Sequence, residues 1–213
     1  NRNYSLDEIN ELENEFQLNN PFFNNKDFLK AKNLLIKIIK KKELVLVYGD
    51  YDVDGATSSA LLTRFFRSTN GQSVIYIPDR VKEGYGPNVS ALLGLKKLGV
   101  SLIVTVDCGT LAVDTLKVAT DAGLDIVVVD HHVAEPKIPS VSAVVNPNRL
   151  DDESNLGELA AVGVCFLLVV AVNRVLRQAG WYKSRVEPDL MQWLDIVALG
   201  TICDVVPLKG LNR

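Results

Sequence analysis

Five short runs of almost wholly apolar residues, at 44–48, 74–77, 102–106, 126–129 and 143–145, constrain this chain more than any other feature. A strand half-exposed on one face alternates apolar with polar residues, whereas a run apolar throughout has to be covered on both faces. Helical stretches separate the runs: about 56–68 after the first, a Gly/Pro-punctuated loop at 78–87 and a helix to Leu98 after the second, and 111–122 after the third. Short buried strands alternating with helices predict βαβ units and an α/β fold, an open, mainly parallel sheet flanked by helices. A helical N-terminal arm precedes it over 1–43, its stripe made by Phe28, Leu34, Leu35, Ile38 and Ile39. A helical C-terminal part follows, over 158–178 and 189–199, so that 44–213 forms the main domain.

Composition narrows the class. With 47% hydrophobic residues the chain has material for a packed core, and a net charge of −3 gives no sign of a protein that binds nucleic acid through bulk positive charge. Cys108, Cys165 and Cys203 are scattered and lack CxxC spacing, which fits a reducing, cytoplasmic setting better than a disulfide framework or zinc knuckle. The longest apolar run, 159–172, has 14 residues and falls short of a bilayer span, so no membrane partner is expected. The polar start has no signal-peptide core and no Met, and the chain stops abruptly at Arg213, as a fragment of something longer would.

In an open parallel sheet, ligands collect at the carboxyl ends of the strands. There this sequence places Asp50, Asp52 and Asp54 after the first strand, Asp107 after the third, and Asp130, His131 and His132 after the fourth. Carboxylates crowded at one edge repel, and burial adds to the cost unless a cation is present. Oxygen ligands with an imidazole suit Mn2+ or Mg2+ better than zinc or copper. An EF-hand is excluded, because counting Asp50 as position 1 puts Leu61 where a bidentate Glu belongs. Taken singly, the aspartates at 50–54 also read as a polar turn capping a helix, and the His pair as an ordinary surface or core pair. Adjacent side chains of an extended chain point to opposite sides, so one His as ligand and one as substrate contact is the expected division. Cys108 reads as a packing residue, and the lysines at 26, 30, 32, 37, 40, 41 and 42 as a solvated helix face. There is no P-loop, and Gly84-Tyr85-Gly86-Pro87 lies far from any strand end in sequence and lacks the third Gly of a dinucleotide fingerprint.

Together, Gly49-Asp50-Tyr51-Asp52-Val53-Asp54-Gly55, Val106-Asp107-Cys108-Gly109, Val129-Asp130-His131-His132 and Gly200-Thr201-Ile202-Cys203-Asp204-Val205-Val206-Pro207-Leu208 resemble the four ordered motifs of the DHH phosphoesterase superfamily. The loop from Ile77-Pro78-Asp79-Arg80 to Gly84-Tyr85-Gly86 and the helix opening Ala161-Val162-Gly163-Val164 resemble its single-strand-specific exonuclease branch. The resemblance implies two ions, Mn2+ or Mg2+: Asp52 and Asp107 on one; Asp54, Asp107, His131 and Asp204 on the other. It implies that His132 faces the scissile phosphate and that Arg80 grips a DNA phosphate. The first motif of the family often carries His where this chain has Tyr48, and Asp50 is the nearest group able to compensate. The implied reaction is 5′ to 3′ hydrolysis of single-stranded DNA in repair and recombination, by two-metal activation of water. A single-strand-binding protein and a helicase are implied partners, and the branch continues into a DHH-associated domain and an oligonucleotide-binding barrel that cannot fit before Arg213. The alternatives are a phosphodiesterase for short oligonucleotides or cyclic dinucleotides, a pyrophosphatase, and a non-catalytic binding scaffold. Setting aside Asp50, Asp52, Asp54, Asp107, Asp130 and Asp204 leaves 20 acids against 23 bases, so the acidity concentrates in the motifs and a nucleic-acid substrate stays open.

Overall fold

A computed structural model of the chain describes Phe22 and residues 25–213; most of the expected N-terminal arm, residues 1–21, 23 and 24, lies outside the described residues. Its elements run α1 (Lys26–Lys41), β1 (Leu44–Gly49), α2 (Val53–Ser68), β2 (Gln72–Tyr76), α3 (Arg80–Glu83), α4 (Val89–Lys96), β3 (Leu102–Val106), α5 (Val113–Asp121), β4 (Ile126–Val129), β5 (Ala143–Val145), α6 (Ala161–Gln178) and α7 (Leu194–Cys203). The strands form one sheet in the order β2-β1-β3-β4-β5, and every pairing is parallel. The expected α/β architecture is therefore the observed one, with β3, β4 and β5 at their expected residues.

Alternation along each strand splits the core in two. Val45, Val47, Val104, Val106, Val127 and Val129 face a layer that includes Phe28, Leu35, Phe65, Leu168 and Val172, contributed by α1, α2 and α6. Leu46, Tyr48, Ile103 and Val128 face the opposite way, against Leu92 of α4 and Leu116 and Ala119 of α5. The described part of the arm is thus a layer of this core. Helix α6 is apolar and long enough, by length and composition, to cross a membrane, but 61% of it is buried inside the protein, as befits a core helix.

Helix boundaries follow their caps. Asn25 accepts the Phe28 amide at 2.9 Å to start α1, and Asn88 accepts the Ala91 amide at 2.8 Å to start α4. Helix α2 begins three residues before the expected Ala56, because Asp52 caps it by accepting the Gly55 amide at 2.9 Å. The expected helix at 158–178 starts only at Ala161, and the expected 189–199 splits into a 3-10 turn, Leu190–Trp193, and α7.

The edge strand β5 is closed off by side chains. Asp27 of α1 accepts the Val144 amide at 3.3 Å, and Arg149 donates to the Val144 carbonyl at 2.7 Å. Arg149 also pairs with Asp27 at 2.6 Å and Asp151 at 2.7 Å while its side chain is only 10% exposed. Removing Arg149 takes the donor from the Val144 carbonyl and leaves Asp27, 18% exposed, with the exposed Lys30 at 3.0 Å as its cationic partner. Arg149→Ala is expected to lower stability by about 3 kcal/mol, read as a shift in the urea unfolding midpoint.

Candidate metal centre

The carboxyl edge of β1, β3 and β4 gathers the acids that the sequence pointed to. Asp54 enters from the first turn of α2 and is 1% exposed. Its two oxygens accept the amides of Ala161 at 2.6 Å and Val162 at 2.8 Å, the first residues of α6, whose own N-cap, Ala160, makes no side-chain cap hydrogen bond. The carboxylate thus pins α6 to α2. Gly200 of α7 makes room for this close packing: a Cβ there would stand 2.4 Å from Thr57 Oγ1 and 3.2 Å from Asp54 Oδ1. That approach brings in Asp204, the C-cap of α7.

Asp107 follows β3 in the left-handed region, at φ 60°. A non-glycine residue there carries strain of order 1–3 kcal/mol, and at this position the backbone aims the carboxylate into the cluster. His131 Nε2 lies 3.3 Å from Asp107 Oδ1, 3.5 Å from Asp204 Oδ2 and 3.8 Å from Asp54 Oδ2. Asp50, Asp52 and Asp107 form an adjoining triad whose oxygens lie within 4.8 Å of one another. Five of these atoms are buried without a hydrogen-bond partner: Asp107 Oδ1 and Oδ2, His131 Nε2, Asp204 Oδ2 and Asp50 Oδ1. Buried orphans of this kind are costly, and oxygens clustered with an imidazole nitrogen are the donor set of a hard divalent cation. The residues therefore fit Mn2+ or Mg2+, with Asp54, Asp107, His131 and Asp204 around one position and Asp52 and Asp107, with Asp50 beside them, around a second.

The electrostatics agree. Burial, reinforced by neighbouring carboxylates, holds Asp54 and Asp107 well above the usual carboxylate range, and burial raises Asp50 and Asp204 as well. Asp130 goes the other way. Although it is buried, hydrogen bonds from His132 and Thr110 bring it down to about 2. Its Oδ1 accepts the amides of His131 and His132 and sits 2.8 Å from His132 Nδ1, while Oδ2 accepts the Thr110 amide at 3.0 Å. With a carboxylate as acceptor, Nδ1 carries the proton, and the hydrogen bond to Asp130 raises His132 above its ordinary value.

The expectation that the two histidines point to opposite sides fails. They follow β4 outside the regular strand, their ring centroids are 4.7 Å apart, and His132 Nδ1 lies 3.9 Å from Asp107 as well. Asn146, at the end of β5, is why: it donates to the His132 carbonyl at 2.8 Å and to Thr110 Oγ1 at 2.9 Å, bending the loop back on itself. His131 is sunk among the acids with 11% of its side chain exposed, whereas His132 is 41% exposed.

The loop at 84–87, remote from the strand ends in sequence, folds onto them. Tyr85 places its hydroxyl 3.4 Å from the Asp107 carbonyl and 3.4 Å from His132 Nε2. Tyr51 meets Tyr85 edge-on at 6.5 Å, and the Arg80 guanidinium stacks over Tyr51 at 4.8 Å. Arg80 thus stands on the rim of the cluster. Tyr48 does not join it; the ring is fully buried on the far face of the sheet. Cys108 is buried, and burial pushes its thiol up, as suits a packing residue. Asp130, Asn146 and Tyr85 are the functional residues that reading strand ends and motifs left without a role; for Asn146, its place after a buried strand was the available signal.

The sequence pattern of the DHH family, N-terminal domain, matches residues 44–201. The chain belongs to the DHH family. The chain is 41% identical over 191 residues to the single-stranded-DNA-specific exonuclease RecJ of Bacillus subtilis, covering 90% of this chain and 23% of that protein. It is 38% identical to RecJ of Escherichia coli, covering 86% of this chain and 32% of that protein. The crystal structure of exonuclease RecJ bound to manganese superposes with a TM-score of 0.74 at 32% identity, over 88% of this chain and 46% of the other. RecJ of Thermus thermophilus in complex with Mn2+ superposes with a TM-score of 0.69 at 28% identity, over 88% of this chain and 26% of that one. The chain spans a quarter to a third of the length of these curated relatives.

Because Asp54 and Asp107 are raised, the folded chain without metal holds protons that the unfolded chain has released above the ordinary carboxylate value of 3.8. Stability of the metal-free protein should therefore fall as pH rises from there. Mn2+ should restore about 3 kcal/mol at a hundredfold excess over its dissociation constant, with a thermal-shift gain that grows from pH 5 to pH 8.

Proposed function

We propose that this domain is the catalytic part of a metal-dependent phosphodiesterase, an exonuclease acting on single-stranded DNA from 5′ to 3′ in repair and recombination. The observation that carries the proposal is the convergence of unpartnered atoms of Asp50, Asp107, His131 and Asp204 at one edge of the sheet. The exonuclease names of the relatives and the manganese in their structures support the substrate and the ion. Two divalent ions, Mn2+ or Mg2+, would supply charge neutralisation at a phosphoryl group and an acidified water at neutral pH.

The protein's own part is positional and electrostatic. Asp107 sits between the two ligand groups, held rigidly by its backbone, and the bonds from α6 keep Asp54 from swinging away. Asp130 accepts the Nδ1 proton of His132 and favours the doubly protonated ring, whose second N–H, at Nε2 on the open side, can donate to phosphoryl oxygens as charge builds on them. Arg80 on Tyr51 offers a guanidinium for a neighbouring phosphate, and Tyr51 and Tyr85 offer ring faces for unpaired bases. The reading includes a cytoplasmic setting, supported by unpaired Cys108, Cys165 and Cys203, and a single-strand-binding protein and a helicase as partners by family resemblance.

In the full-length protein, Asp107→Ala should lower mononucleotide release from single-stranded DNA at least ~100-fold, and chelation should abolish it. Near-normal cleavage by that variant would sink the assignment, and faster hydrolysis of pyrophosphate or of cyclic dinucleotides than of long single strands would replace the substrate. Asp130→Asn should cost about 10- to 100-fold in kcat with manganese affinity, measured by calorimetry, little changed.

A further inference from the structure

Tyr48 occupies the position where the family often has His, yet the sheet sends its side chain away from the cluster. Alternation along β1 puts the ring on the face covered by α4, fully buried and 5.3 Å from the ring of Tyr76. Its hydroxyl finds a partner: it donates to the Gly86 carbonyl at 3.2 Å and accepts from Asn88 Nδ2 at 3.4 Å. Gly86 is itself buried, and among the described residues the Tyr48 hydroxyl is the hydrogen-bond donor to its carbonyl.

The neighbour of Gly86 is Tyr85, whose hydroxyl reaches the Asp107 carbonyl and the His132 ring. Gly84 and Gly86 lie at φ 80° and 77°, and no neighbouring atom stands within 4 Å of the Cβ either would carry. These glycines answer a backbone requirement and nothing else, which leaves the segment between them easy to turn. Two ties restrain it. Upstream, Glu83 accepts from Tyr76 at 2.6 Å and from Asn88 at 3.0 Å; downstream, Tyr48 holds Gly86.

We propose that Tyr48 is a positioning residue: through the Gly86 carbonyl it fixes Tyr85 as a wall beside Asp107 and His132, against which the incoming strand packs. The residue that replaces a common metal-side His therefore serves the substrate side of the cleft. This inference rests on the nuclease reading for its kinetic readout and on the loop alone for its structural one.

Tyr48→Phe in the full-length protein keeps the buried ring and removes only the hydroxyl. Loss of one such bond should speed amide hydrogen exchange at Gly84, Tyr85, Gly86 and Asn88 by about fivefold to tenfold, with β1 and β3 amides unchanged. KM for a single-stranded oligonucleotide should rise by about the same factor with kcat within about twofold, and manganese affinity should stay the same. In a Tyr85→Ala background, Tyr48→Phe should add nothing further to KM. Unchanged exchange at 84–88, an undiminished KM effect in that background, or a tenfold loss of manganese affinity would each overturn the proposal. The exchange measurement needs no activity. A parent protein that cleaves no DNA would thus remove the nuclease reading, while exchange at 84–88 still decides whether Tyr48 holds the loop.

Discussion

Carboxylate oxygens buried with nothing to donate to them are the constraint around which the rest of this domain is arranged. Asp107, Asp204 and Asp50 each bury at least one such oxygen, and His131 adds an unpartnered nitrogen. Left alone, such a group is a large debit against a fold whose net stability is small. The surrounding structure supplies the compensation: a dense apolar core on both faces of the sheet, a strained but fixed Asp107, and α6 clamped by Asp54. The core keeps the acids together, and the acids make the site selective for a hard cation.

Much of this architecture was readable in the residues, for definite reasons. Strands apolar along their whole length, such as 126–129, have one stable use, and the rule that chemistry collects at strand ends then picks out Asp50, Asp52, Asp54, Asp107, Asp130, His131 and His132 without any geometry. Asp204 was different, since nothing in the periodicity brings α7 to the sheet edge, and only the family motif pointed to it. What remained hidden depended on long-range contacts. The start of α6 is set by Asp54, more than one hundred positions away in sequence, and no local cap signals it. The His pair misled because strand geometry was extended three residues past Val129, beyond the point where Asn146 bends the chain.

The two histidines and Asp130 also show how three consecutive residues divide three tasks. His131 is buried against the acids, His132 stays half-open, and Asp130, the most thoroughly hydrogen-bonded carboxylate of the group, touches neither the acids nor solvent but fixes both neighbours through their amides. A low-pKa carboxylate used as an internal acceptor sits beside high-pKa carboxylates kept for cations. Acids of the same chemical type are thus sorted by the number of N–H groups aimed at them.

The bonds from Asp54 to the first amides of α6 bear on how the domain comes together. A helix of 18 residues without a cap of its own has its first turn completed by a residue from a distant helix that also lies beside the ion position. Assembly of the α2–α6 contact and assembly of that corner of the site are therefore a single cooperative event. A chain in which α6 is docked already presents Asp54 in its working pose, and little conformational entropy is left to lose when a cation arrives.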